Sequence, residues 1–147
     1  MAGEYDVSGY VDSLHHVGFF CSNLQETVKF YTDTFGFEVE CYGDVEVANE
    51  KVAMLRLGNI ILEALWVPNI SHDELYNKAL SVDNHFSVMV EDIDAVKAIL
   101  MKHPKVVFEE EEIRNVPNIG DMDLRVTFFR GINGERVEIM QNVRKTK

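Results

Sequence analysis

Leu14-His15-His16-Val17-Gly18-Phe19-Phe20-Cys21-Ser22-Asn23-Leu24 is the stretch whose reading decides the fold, because its design returns at Asn84-His85-Phe86-Ser87-Val88-Met89-Val90-Glu91-Asp92-Ile93. Each copy sets a histidine at the head of an apolar run and a helix-capping residue seven positions later, Asn23 in one and Asp92 in the other. Period-two alternation turns Val17, Phe19 and Cys21 toward a helix and His16, Gly18 and Phe20 toward the opposite face. Phe86, Val88 and Val90 divide from His85, Ser87 and Met89 in the same way.

Outward from the first copy, the spacing predicts a helix over about 24–34, stopped by Gly36, then strands over 37–42, 51–57 and 60–67. Gly58-Asn59 reads as a two-residue type II′ turn. Pro68 closes the series, and a short linker helix over about 70–82 starts at Ser71 with Glu74 in the capping-box position. Outward from the second copy come a strand over 84–91, a helix over 93–102, and strands over 106–113, 124–130 and 136–141. A polar loop with Pro117 and Gly120 precedes the last two, which the four-residue turn Gly131-Ile132-Asn133-Gly134 joins. The expected fold class is α+β, with a βαβββ module over about 13–68, a second over about 84–141, an arm over 1–12 and a basic tail over 142–147.

The bulk composition narrows the function classes. A 147-residue chain with 46% hydrophobic content can bury an ordinary core. A net charge of −11 opposes extended contact with nucleic acid or an anionic membrane. Met1 to Asp12 carries no signal core, no run is long enough for a membrane span, and Cys21 and Cys41 lack metal or disulfide spacing. The expected setting is the cytoplasm, with reduced thiols. The acidic run Glu109-Glu110-Glu111-Glu112 reads as a solvated strand edge.

The repeat also carries chemistry. His16 returns at His85, and Glu63, alone between Leu62 and Ala64, returns as Glu138 between Val137 and Ile139. Each histidine alone reads equally as a hydrogen-bonded strand-end residue, and each glutamate as an ion-paired one. Their matched placement points instead to a divalent metal, which would cancel the two carboxylate charges and accept nitrogen and oxygen ligands. Zn, Ni, Co, Mn and Fe all suit such a set. With a two-residue turn at Gly58-Asn59, Met54 pairs with Glu63 and Arg56 shares its face; with the four-residue turn, Thr127 pairs with Glu138 and Arg125 shares its face. Arg56 and Arg125 are then candidates for a substrate carboxylate or phosphate, and Phe20, Met54 and Phe129 for apolar walls.

Leu14-His15-His16-Val17-Gly18, Phe30-Tyr31-Thr32-Asp33-Thr34-Phe35-Gly36-Phe37, Glu63, Asn84-His85-Phe86 and Gly134-Glu135-Arg136-Val137-Glu138 together resemble the vicinal oxygen chelate superfamily. The resemblance covers about residues 13–141. It implies that the modules form a cupped mixed sheet and that His16, Glu63, His85 and Glu138 are the metal ligands, with His15 structural. It also implies a homodimer and a small-molecule substrate. The full His, Glu, His, Glu set is similar to that of glyoxalase I, a lyase that works by enediolate-type proton transfer, with Glu138 as the proton carrier and Glu63 as a ligand or second base. Phe20 and Val67 stand about where that enzyme uses arginine and asparagine for glutathione, so glutathione is not the expected thiol. The same frame also serves acyl-CoA epimerases, non-haem dioxygenases and drug-binding resistance proteins.

Overall fold

The computed structural model describes residue 10 and residues 15–46, 49–78, 85–119 and 121–144. The expected arm over 1–12 apart from residue 10, the strand start at Leu14, the end of the linker helix at Ala79 to Ser81, the strand start at Asn84 and the tip of the basic tail lie outside the described residues. Strand β1 (Val17–Cys21) leads into helix α1 (Leu24–Phe35) and then β2 (Glu38–Val45), β3 (Glu50–Leu57) and β4 (Ile60–Trp66). Helix α2 (His72–Lys78) follows, then β5 (Phe86–Met89), α3 (Ile93–Leu100), β6 (Val107–Phe108), β7 (Arg114–Ile119), β8 (Met122–Arg130) and β9 (Arg136–Asn142).

Local chemistry sets these boundaries. Asn23 accepts from the Glu26 amide at 3.0 Å and Asp92 from the Ala95 amide at 3.0 Å, so both capping residues hold their helix starts. Gly36 ends α1 in the left-handed region at φ 73°, its amide bonded to the Thr32 carbonyl. Ser71 and Glu74 exchange their capping-box bonds at the head of α2.

Two mixed sheets result, one ordered β1-β4-β3-β2 and the other β5-β9-β8-β6, with β7 also on β8. The first strand of each module runs parallel to the last, and the inner pairs are antiparallel. Helix α1 belongs to the first module yet packs on both sheets: Phe35 stacks on Phe129 and Tyr31 meets Phe86. Val28, Phe30, Leu55 and Leu62 join Ile93, Val137 and Ile139 in a single core. The helix-facing side of each sheet is therefore turned inward, and the side carrying the histidines looks away from that core.

Two expectations for the second module fail. The strand foreseen over 106–113 is only two residues long, and the loop with Pro117 is strand β7. Both β6 and β7 pair with β8, so one edge strand is interrupted at the acidic run. The cause is Lys97, whose buried ammonium reaches the Glu110 and Glu111 carbonyls at 3.0 and 2.6 Å and draws that segment over α3. Pro117 is tolerated because β7 is an edge strand with a break between Val116 and Ile119.

The turn before β9 also differs. The closing pair is Gly131 with Glu135, the Gly131 amide donating to the Glu135 carbonyl at 2.9 Å, which leaves a three-residue loop with Gly134 left-handed at φ 78°. Phe128, not Thr127, therefore stands opposite Glu138. A one-residue slip reverses every face of β8.

Candidate metal centre

The sheet ladders put the four candidate ligands in equivalent places. Glu63 pairs with Gly18, two residues past His16, and Glu138 pairs with Ser87, two residues past His85. As a result His16 Nε2 lies 3.6 Å from Glu63 Oε2, and His85 Nε2 lies 3.3 Å from Glu138 Oε2. Both carboxylates are shielded, with side chains 20% and 12% exposed. Two donors bound to one divalent ion at roughly 2.0–2.2 Å sit about 3 Å apart when adjacent, so each pair needs only a small side-chain adjustment to share an ion.

The structure brings these residues together as two pairs. Among the described residues no three His, Cys, Asp or Glu side chains converge on one point within the chain. Each pair has its own support. Ser87 Oγ donates to Glu138 Oε2. Gly18 leaves room beside Glu63, since a Cβ there would stand 3.4 Å from Glu63 Oε1. His15 is exposed and its Nδ1 lies 2.9 Å from His16 Nδ1. If His16 Nδ1 carries the proton shared with His15, Nε2 keeps the lone pair a metal needs.

The remaining candidates divide. Met54 pairs with Glu63 and Arg56 with Ile61, as the two-residue Gly58-Asn59 turn requires, and Arg56 is held by Glu40 at 2.7 Å. Phe20 is half exposed on the face of His16. Arg125 and Phe129 are corrections: the slipped register places both on the helix side of β8. There Arg125 grips Asp94 of α3 with two bonds, lowering the Asp94 carboxyl below its ordinary range, and Phe129 is fully buried.

Residues not foreseen take their place beside Glu138. Phe128 meets the His85 ring edge-on at 5.2 Å, and the Arg136 guanidinium lies 4.0 Å from the Phe128 ring centre. Glu109 reaches across the sheet to Arg136 at 2.8 and 2.9 Å, which holds its carboxyl below the usual range. The acidic run is thus not wholly solvated. Parity along β9 would have found Arg136, two residues before Glu138.

A cavity of about 600 Å³ lies elsewhere, between the start of α1, α2 and the turn at Ile132 and Asn133, and contains none of the four candidate ligands. Beneath it is a buried polar network. Tyr31 donates to Glu135 Oε1 at 2.7 Å, the Asn133 amide donates to Glu135 Oε2 at 2.8 Å, and Asn133 Nδ2 donates to Thr27 at 2.9 Å. Burial pushes the Glu135 carboxyl and the Tyr31 hydroxyl up, and it raises the Cys21 thiol to about 11. Cys21 and Cys41 are both unbridged.

The profile of the Glyoxalase/Bleomycin resistance protein/Dioxygenase superfamily matches residues 13–139. The chain belongs to this superfamily. It is 29% identical to the uncharacterized protein YwkD of Bacillus subtilis over 119 residues, 80% of this chain and 87% of that one. A glyoxalase family protein from Enterococcus faecalis superposes with TM-score 0.66 at 29% identity, covering 89% of this chain and 98% of that one. At the level of fold alone, the trypanothione-dependent glyoxalase I of Leishmania major is similar with TM-score 0.61 at 22% identity, covering 89% and 87%. So is the fosfomycin resistance protein FosX of Listeria monocytogenes complexed with Mn(II), with TM-score 0.65 at 12% identity, covering 90% and 94%. Among the described residues no helix of this superfamily member is long and apolar enough to cross a membrane.

Proposed function

We propose that this protein is a divalent-metal-dependent lyase or isomerase of the glyoxalase I type, moving a proton between neighbouring carbons of a small carbonyl or thiol-adduct substrate. The observation that carries the reading is the doubled His–Glu pair at equivalent ladder positions. His16, Glu63, His85 and Glu138 would hold the ion. Once bound, a divalent ion supplies positive charge to substrate oxygens as negative charge develops on them.

The chain's own residues divide the remaining work. Ser87 fixes one oxygen of Glu138, while Glu63 faces a glycine in the matching place. That asymmetry supports Glu138 as the oriented base and Glu63 as a ligand. Phe20 and Met54 would supply apolar walls on the Glu63 side. Because α1 packs on the inward faces of both sheets, the two pairs look outward, and we infer that a homodimer joins them, module 1 of one copy with module 2 of its partner. Phe20 and Met89, each about half exposed on those faces, are apolar surface that such pairing would cover.

Metal analysis after chelator-free purification tests the reading. The expected result is one divalent ion per chain, lost in His16→Ala and His85→Ala, with Glu138→Gln slowing turnover of methylglyoxal–thiol adducts by roughly 10²-fold or more. Protein that neither retains nor rebinds Ni, Co, Zn or Mn would overturn it.

A further inference from the structure

Glu63 and Glu138 hold equivalent places in the two sheets, and the residue opposite each makes them chemically unequal. Glu63 is paired with Gly18 and Glu138 with Ser87. Gly18 sits in strand β1 without a left-handed φ, and a Cβ there would meet Glu63 Oε1 at 3.4 Å, the short end of ordinary contact. Neither backbone nor space therefore demands a glycine in the first module. What separates the two pairs is a hydroxyl.

That hydroxyl has two properties that suit the partner of a proton carrier. It donates to Glu138 Oε2, and because it accepts as readily as it donates, it stays bonded when the carboxyl takes up a proton. It also stands between a shielded group and water: Ser87 is exposed on its strand, whereas the Glu138 side chain is only 12% exposed. His85 Nε2 approaches the same carboxylate oxygen at 3.3 Å, but that nitrogen is the proposed ligand atom, and a ligating imidazole nitrogen carries no proton to pass on.

We propose that the Ser87 hydroxyl is the relay through which a proton held on Glu138 exchanges with solvent. The inference rests on the proton-transfer reading above. In the outward step, protonated Glu138 gives its proton at Oε2 to Ser87 Oγ while Ser87 gives its own hydroxyl proton to a water molecule. Glu138 is left as a carboxylate, Ser87 as a neutral hydroxyl, and the water carries the extra proton. The reverse transfer brings a solvent proton to Glu138. Glu63 faces a glycine, so its ladder partner offers no such relay. A proton on Glu138 therefore has two fates, return to the neighbouring substrate carbon or exchange with water, and Ser87 opens the second.

Ser87→Val and Ser87→Thr test this, because their side chains have nearly the same shape and differ by the hydroxyl. Each metal-loaded protein is turned over in deuterium oxide with the hemithioacetals of methylglyoxal with cysteine, coenzyme A and glutathione, and the deuterium content of the product carbon that receives the proton is read by NMR. The unaltered protein and Ser87→Thr should place solvent deuterium there, and Ser87→Val should lower that content about fivefold or more while keeping its metal. Isotopic content, unlike rate, is independent of how much of a variant folds. In the metal-free protein, the Glu138 carboxyl carbon signal, assigned by its loss in Glu138→Gln, should move in Ser87→Val and stay in place in Ser87→Thr. A product without solvent deuterium from the unaltered protein, the same content from Ser87→Val as from Ser87→Thr, or an unmoved carboxyl signal in Ser87→Val overturns the relay and leaves the metal reading intact. No turnover of any adduct overturns the relay together with the proton-transfer reading.

Discussion

Glu135 shows how much one residue decides. Its backbone closes the turn opposite Gly131, and its carboxylate, enclosed by Tyr31 and the Asn133 amide, ties that turn to helix α1 of the other module. Space is tight: a Cβ on Gly131 would stand 2.3 Å from Glu135 Oε1, and one on Gly134 would stand 2.5 Å from the Tyr76 Cα. Burial raises the carboxyl in the folded protein, so the folded state holds the proton more tightly than the unfolded chain. By linkage, the Glu135 contribution to stability is fully present below about pH 4 and is lost as pH rises through the folded value, at up to about 1.4 kcal/mol per pH unit in that window. Urea unfolding of the protein and of Glu135→Gln at a series of pH values checks this. The unaltered protein should lose ground to the variant as pH rises above about 4, and a constant difference would remove the argument.

At the scale of elements, the repeated stretches were legible because cap, alternation and turn chemistry agree. Asn23, Asp92, Ser71 and the Gly58-Asn59 turn each sit where local rules place them, and the pairing of Met54 with Glu63 followed from counting alone. The β8 register was not legible, since a three-residue and a four-residue reading of Gly131 to Gly134 differ only through tertiary bonds to Glu135. That single step moved Phe129 into the core and Arg125 to helix α3, and it put Phe128 beside His85. The break in the edge strand was hidden for a similar reason, because it depends on Lys97 reaching backbone carbonyls thirteen and fourteen residues away. Lys97→Met should release the segment from Glu109 to Ile113 at a cost of about 1–2 kcal/mol, since the freed carbonyls can turn to water. Hydrogen exchange of those amides should accelerate while β8 and β9 stay protected. Unchanged exchange would show that the acidic run is held by something other than Lys97.

The whole molecule presents two His–Glu pairs on outward faces of a shared core, and the proposed pairing between copies has a consequence that mixing can read. A chain carrying His16→Ala has a damaged first module and an intact second one, and a chain carrying His85→Ala has the reverse. If each metal centre joins module 1 of one copy to module 2 of its partner, a mixed dimer holds one centre with both histidines lost and one with all four ligands present. Random reassortment makes half of the dimers mixed, so about a quarter of the normal metal content and turnover should return. Centres assembled within a single chain would give no recovery, because every chain in the mixture lacks one histidine. Denaturing and refolding the two variants together, with each variant refolded alone as the reference, distinguishes these outcomes. Recovery near a quarter places the joint between copies, and recovery at the level of the separate variants places it inside one chain.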